Sequence, residues 1–171
     1  MFPASLTTEA ERLLAEMRQK GFKFASAESC TGGLIAGLMT EIAGSSDVVD
    51  RGFVTYSNDA KMEMLGVSGQ LLGAVGAVSR EVAMAMAEGA LVHSLADVAV
   101  AVTGVAGPGG GSALKPVGLV HLAAARLGAK TIHQECRFGA IGRSEIRLRT
   151  VATALALVRQ AMEQPADSAS E

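Results

Sequence analysis

Residues 97–103 read Asp-Val-Ala-Val-Ala-Val-Thr, and no other stretch limits the fold as much. A β-branched run that stays apolar, with no polar alternate face, is a strand that must be covered on both sides. Helices are therefore needed above and below a sheet, and the preceding sequence supplies them. FKFASA (22–27) and GFVTYS (52–57) read as two further strands, separated by the helical spacing of LIAGLMTEIAG (34–44). Thr8 and Glu11 read as a capping box ahead of RLLAEMRQK, and Gly21 closes that helix. Asn58 reads as the N-cap of DAKMEML, and Ser79 as the N-cap of REVAMAMAEGALVHSLA. Strands alternating with helices imply a parallel arrangement joined by right-handed crossovers. The later strand segments, KPVGLVHLAAA (115–125) and KTIHQECRF (130–138), have no helix between them and are expected to pair antiparallel. SEIRLRTVATALALVRQAME (144–163) closes the chain as a long helix. The expected fold is a three-layer α/β/α sandwich on a mixed sheet, one domain over residues 1–164, with the small polar residues 165–171 as a disordered tail.

Composition narrows the function classes. Aromatics make up 4% of the chain and Trp is absent, against 20 Gly, so the core must come from Ala, Val, Leu and Met at close spacing. A net charge of −2 with dispersed basic residues leaves no electrostatic footprint for nucleic acid. No run approaches the ~18 apolar residues of a membrane span, and the N-terminus has no signal-peptide pattern, so a cytoplasmic protein without a membrane partner is expected. Cys30 and Cys136 are too few for a disulfide framework or a zinc site, and no metal is expected.

Three polar segments follow the three parallel strands: Ser29 after the first, Tyr56 and Ser57 after the second, Thr103 and Gly104 after the third. Ligands in open α/β sheets bind outside the carboxyl ends of strands, so these segments are expected to share one crevice. SAESCTGG (26–33) puts Ser29, Cys30, Thr31 and Gly32 on a glycine-rich turn ahead of a helix, where free amides attract an anion or a developing oxyanion. An N-cap at Asn58 puts Lys61 at the third helical position, a place unfavourable to a cation. If buried there, Lys61 would be a neutral amine able to take a proton from a serine. TGVAGPGGGSALKP (103–116) matches neither the P-loop nor G-x-G-x-x-G, yet its glycines, Gly104, Gly107 and Gly110 among them, permit close approach of a phosphate or carboxylate. Arg143 and Arg147, four apart on the last helix, could clamp a phosphate or simply face solvent. His93, His121 and His133 belong to no turn motif and read as packing residues.

In this order and spacing, AESCTGG, IAGSS, RGFVTYSNDAK, GAVS, TGVAGPGGGS and KPVG resemble the CinA C-terminal domain family over about residues 8–160. The resemblance implies an amidohydrolase that converts nicotinamide mononucleotide to nicotinic acid mononucleotide and ammonia, working without a cofactor and as a homodimer or larger homo-oligomer. It assigns the nucleophile to Ser29 and its partners to Tyr56 and Lys61. Cys30, Thr31, Gly32, Thr103, Gly104, Gly107, Gly110 and Arg143 are expected to bind substrate or the oxyanion. Two other readings remain open at this point: a module that binds an anion or nucleotide without chemistry, and catalysis by Cys30.

Overall fold

The computed structural model describes residues 1–166. Its elements run α1 (Ala4–Lys20), β1 (Phe24–Glu28), α2 (Leu34–Glu41), β2 (Val49–Val54), α3 (Asn58–Leu65), α4 (Gly69–Val75), α5 (Arg80–Val92), β3 (Val98–Gly104), β4 (Leu119–Arg126), β5 (Ile132–Arg137) and α6 (Arg143–Glu163). The strands form one sheet in the order β2-β1-β3-β4-β5. β1 pairs parallel with both β2 and β3, while β4 and β5 add antiparallel. The three-layer, mixed-sheet expectation therefore holds. The last five residues of the tail expected at 165–171 lie outside the described residues.

The strand alternation explains how the two helical layers differ. Val98, Val100 and Val102 of β3 face α1, α2 and α6, whereas Ala99 and Ala101 face the layer of α3, α4 and α5. Ala123 and Ala125 of β4 extend that small-residue face, so α5 can lie close against the sheet. α5 also presses on α3: a Cβ added at Gly89 would sit 2.1 Å from the Leu65 carbonyl oxygen. Among the described residues, no helix is long and apolar enough to cross a membrane.

Several local readings shift. Helix α1 starts earlier than the Thr8/Glu11 capping box, directly after Pro3, whose ring presets its backbone angle for helix entry. The N-cap of α3 is Ser57, not Asn58. The Ser57 hydroxyl accepts from the Ala60 amide at 3.0 Å, and Lys61 moves to the fourth helical position. Helix α4, capped by Ser68, has no counterpart in the sequence reading. β4 starts at Leu119, four residues after Lys115, because Gly118 (φ +90°) packs against Gly139 where no Cβ would fit.

Candidate active site

The parallel pairing of β1, β2 and β3 brings Ser29, Tyr56 and Gly104 to one sheet edge. There, Ser29, Cys30, Tyr56, Gly104, Gly107 and Arg143, with further residues of the glycine loop, line a cleft of about 270 Å³. A smaller hollow of about 140 Å³ shares Ala106 and Arg143 with it and is closed by Pro108, Val117 and Ala140.

Ser29 is half-buried and follows β1, its amide held by the Val102 carbonyl at 3.0 Å. Lys61 reaches it from α3: its Nζ lies 3.1 Å from Ser29 Oγ and donates to the Thr55 carbonyl at 2.8 Å. Lys61 is only 1% exposed, and among the described residues no carboxylate pairs with it. Burial accordingly draws its pKa below the usual lysine value, with a smaller opposing contribution from Cys30. A largely enclosed amine, short of a counter-charge and in contact with a hydroxyl, is equipped to exchange a proton with it.

The turn between Ser29 and α2 is organised differently from the expectation of free helical amides. Glu28, fully buried at the end of β1, accepts from Gly33 and Ile35 through one oxygen (3.1 and 3.0 Å) and from Ala36 through the other (2.9 Å). Ser26 Oγ donates to it as well, at 3.1 Å. This carboxylate already fills the N-terminus of α2, so an oxyanion must be met elsewhere. The amides of Cys30 and Thr31 have no acceptor on another residue among those described. Cys30 lines the cleft, whereas Thr31 is fully enclosed.

From α6, Arg147 donates through Nε to the Cys30 carbonyl (3.1 Å) and through Nη2 to the Thr31 carbonyl (2.9 Å), tying down the outside of the turn. Gly32 (φ +58°) completes it, and a Cβ there would lie 3.4 Å from Arg147 Nη2. Arg143, one turn earlier, donates to the Gly107 carbonyl at 2.8 Å and to Tyr56 Oη at 3.0 Å. The two arginines therefore do not form a clamp: one faces the cleft and the other supports the turn.

Most of the residues expected at the site converge here. Thr103 does not: it is buried, and its hydroxyl donates to the Ala77 carbonyl at 2.8 Å, pinning the segment before α5 to β3. The sequence reading does not single out Glu28, and it brings in Arg147 only as half of a possible phosphate clamp. An acidic residue at the end of a fully buried strand is the signal that marks Glu28, since a buried charge needs donors and the next helix start supplies most of them. The Cys30 thiol is pushed up to about 11, chiefly by burial.

Comparison with known proteins places these motifs in a family. The model of the CinA C-terminal domain matches residues 6–162. A CinA-like protein of Syntrophobacter fumaroxidans is 48% identical over 149 residues, covering 86% of this chain and 35% of the relative. One from Akkermansia muciniphila is 54% identical over 129 residues, 75% of this chain and 31% of the relative. The chain thus spans about a third of the length of these relatives. Among solved structures, the competence/damage inducible protein CihA of Agrobacterium tumefaciens superposes with a TM-score of 0.94 at 57% identity, covering 95% of this chain and 99% of that one. A CinA superfamily protein of Escherichia coli gives 0.86 at 32% identity, covering 94% and 93%. With the match running almost end to end, and with the sheet order and strand-end turns described above, the chain belongs to the CinA C-terminal domain family.

Proposed function

We propose that this chain is a serine amidohydrolase that deamidates nicotinamide mononucleotide to nicotinic acid mononucleotide and ammonia. The observation that carries the reading is the contact between the buried Lys61 amine and Ser29 Oγ at 3.1 Å on the wall of an open cleft. A module that only bound anions would need donors, and it would have no use for a nucleophile next to an enclosed, unpaired base.

Ser29 Oγ attacks the carboxamide carbon and its proton passes to Lys61. The carbonyl oxygen becomes an oxyanion facing the Cys30 amide. Lys61 then gives the proton to the departing nitrogen, which leaves as ammonia. Water, deprotonated by the same amine, hydrolyses the acyl–serine to the acid and restores the hydroxyl. Arg143, with donor groups beyond those on Tyr56 and Gly107, and the amides of the 104–110 loop hold the phosphate and so position the distant carboxamide. Cys30 is disfavoured as nucleophile because its thiol, pushed up to about 11, is protonated at neutral pH.

The test is ammonia release from nicotinamide mononucleotide, nicotinamide riboside and nicotinamide. The mononucleotide should be turned over most efficiently, and Ser29→Ala should abolish turnover. Activity that survives Ser29→Ala but is lost on thiol alkylation would transfer the nucleophile to Cys30.

A further inference from the structure

Arg147 sits behind the nucleophile turn, makes no hydrogen bond to Ser29 Oγ and does not itself line the cleft. Its guanidinium nonetheless heads a chain of hydrogen bonds that ends at the cleft. Arg147 Nη2 donates to the Thr31 carbonyl at 2.9 Å. That carbonyl shares a peptide unit with the Gly32 amide, which donates to the Ser29 carbonyl at 3.1 Å. The Ser29 carbonyl in turn shares a peptide unit with the Cys30 amide, and Cys30 lines the cleft. In a trans peptide the carbonyl and the N–H point in opposite directions. Each acceptance therefore aims the next N–H onward and leaves that of Cys30 directed away from the turn.

From these contacts we infer that Arg147 is a positioning residue which, through the Thr31–Gly32 and Ser29–Cys30 peptides, orients and polarises the Cys30 amide as the oxyanion donor. All the donors run in one sense, starting from a fixed positive charge, so the peptide dipoles reinforce one another and the last N–H becomes the stronger donor. The second bond, Arg147 Nε to the Cys30 carbonyl at 3.1 Å, locks the peptide between the two relay units and keeps the turn from flipping. Glu28 complements this from the other side: it binds the amides of Gly33, Ile35 and Ala36, so none of these competes for the oxyanion. Gly32 alone suits the middle of the relay, because its left-handed backbone (φ +58°) lets its amide turn back to the Ser29 carbonyl beside the guanidinium.

The inference rests on Ser29 forming a tetrahedral adduct, and the test separates the two ideas. Pyridine-3-boronic acid is the probe: Ser29 Oγ adds to boron, its proton passing to Lys61, and one boronate oxygen takes the oxyanion position. Arg147→Gln should weaken boronate binding and lower kcat by about ten- to a hundredfold, less than the ~10²–10³ expected from deleting an oxyanion donor outright. KM should move by less than about threefold, because the substrate carbonyl carries little charge in the ground state. Arg147→Lys keeps the charge but loses the fork, so its kcat should lie between the two. In the free protein, the amide proton resonances of Gly32 and Cys30 should move upfield in Arg147→Gln and stay in place in Arg149→Gln, whose side chain pairs with Glu145 on the same helix. Unchanged resonances, or unchanged boronate affinity and kcat, would overturn the relay. So would a loss expressed wholly in KM or in thermal stability. Failure of the wild-type protein to bind the boronate would count instead against Ser29 as nucleophile, and the amide resonances would still decide the relay.

Discussion

Lys61 can act on Ser29 only as a free amine, and its surroundings favour that form: the side chain is 1% exposed, and among the described residues its Nζ bonds a carbonyl and the serine hydroxyl and no carboxylate. Removing an ammonium from water without a counter-ion disfavours the charged state, which lowers the pKa. The rate should therefore rise with pH through that lowered value and fall away below it. Lys61→Arg retains the charge but cannot take up a proton, because guanidinium stays protonated, so it should be about as inactive as Lys61→Ala. General-base catalysis is worth ~10²–10⁴ in rate. Initial rates of ammonia release across pH check this, and an Arg variant keeping more than about a tenth of wild-type turnover would remove Lys61 from proton transfer. The family resemblance pairs Ser29 with Lys61, and the fold brings them together because Ser29 follows β1 while α3, which carries Lys61, follows the neighbouring strand β2. Lys61 does not take the third helical position expected for it, since Ser57 rather than Asn58 caps α3. Burial, not the helix end, is the main cause of the shift. The amide partners of Glu28 leave no mark on residue type, so in the sequence its role is signalled only by the acidic residue itself at the end of a buried strand.

Elements set the distance between these two residues, and α3 is the one that carries Lys61. Its C-terminal end rests on α5, where Gly89 leaves no room for even a methyl group: the Leu65 carbonyl oxygen would lie 2.1 Å away and its carbon 3.0 Å away. Both atoms are backbone, so no rotamer change relieves the clash and α3 must shift as a unit. Gly89→Ala should destabilise by about 1–3 kcal/mol through overpacking, despite the ~1 kcal/mol that alanine gains over glycine within a helix. At roughly 2–4 °C per kcal/mol for a chain of this size, the melting temperature should fall by several degrees. Turnover should fall with it as the Lys61–Ser29 contact opens. Gly73 in α4 is the control: nothing lies within 4 Å of its added Cβ, so Gly73→Ala should leave stability unchanged or raise it slightly. Equal melting temperatures for wild type and Gly89→Ala would mean that the α3–α5 contact is not what holds Lys61 in place. Long elements such as α1, α5 and α6 could be read from their length and end signals, even though the start of α1 lies at Pro3 rather than at the Thr8/Glu11 box. α4 could not, because its seven residues, GQLLGAV, show too little periodicity and include two glycines.

The whole molecule has one seam where the sheet changes character. β3 is parallel to β1 and wrapped on both faces, whereas β5 lies at the edge of the sheet, paired with β4. Across that outer pair, His121 Nδ1 and His133 Nε2 meet at 3.0 Å with their rings stacked. Two imidazoles joined in this way share one proton between the facing nitrogens, so both cannot be charged while the contact persists. Burial is the leading cause that holds both below the usual histidine range. Lys115 and Arg137 reinforce it at His121, as Arg80 and His121 itself do at His133, while Glu135 and Glu81 oppose it at each. The direction of the stability change follows from these lowered values. Below the unfolded value of about 6.5 the unfolded chain takes up protons that the folded one refuses, so the pair's contribution is intact above that pH and is lost as the pH falls toward the lowered folded values. The carboxylates with lowered pKa, Asp47, Asp50 and Glu135, respond only in a more acidic range, which leaves the window between pH 7 and 5 to the histidines. Urea unfolding should show stability declining across that window, and His133→Phe should flatten the decline by removing one titrating ring and the constraint on the other. Parallel pH profiles for wild type and His133→Phe would mean that the histidine pair does not couple protonation to folding, and the acid sensitivity of the sheet would have to be sought elsewhere.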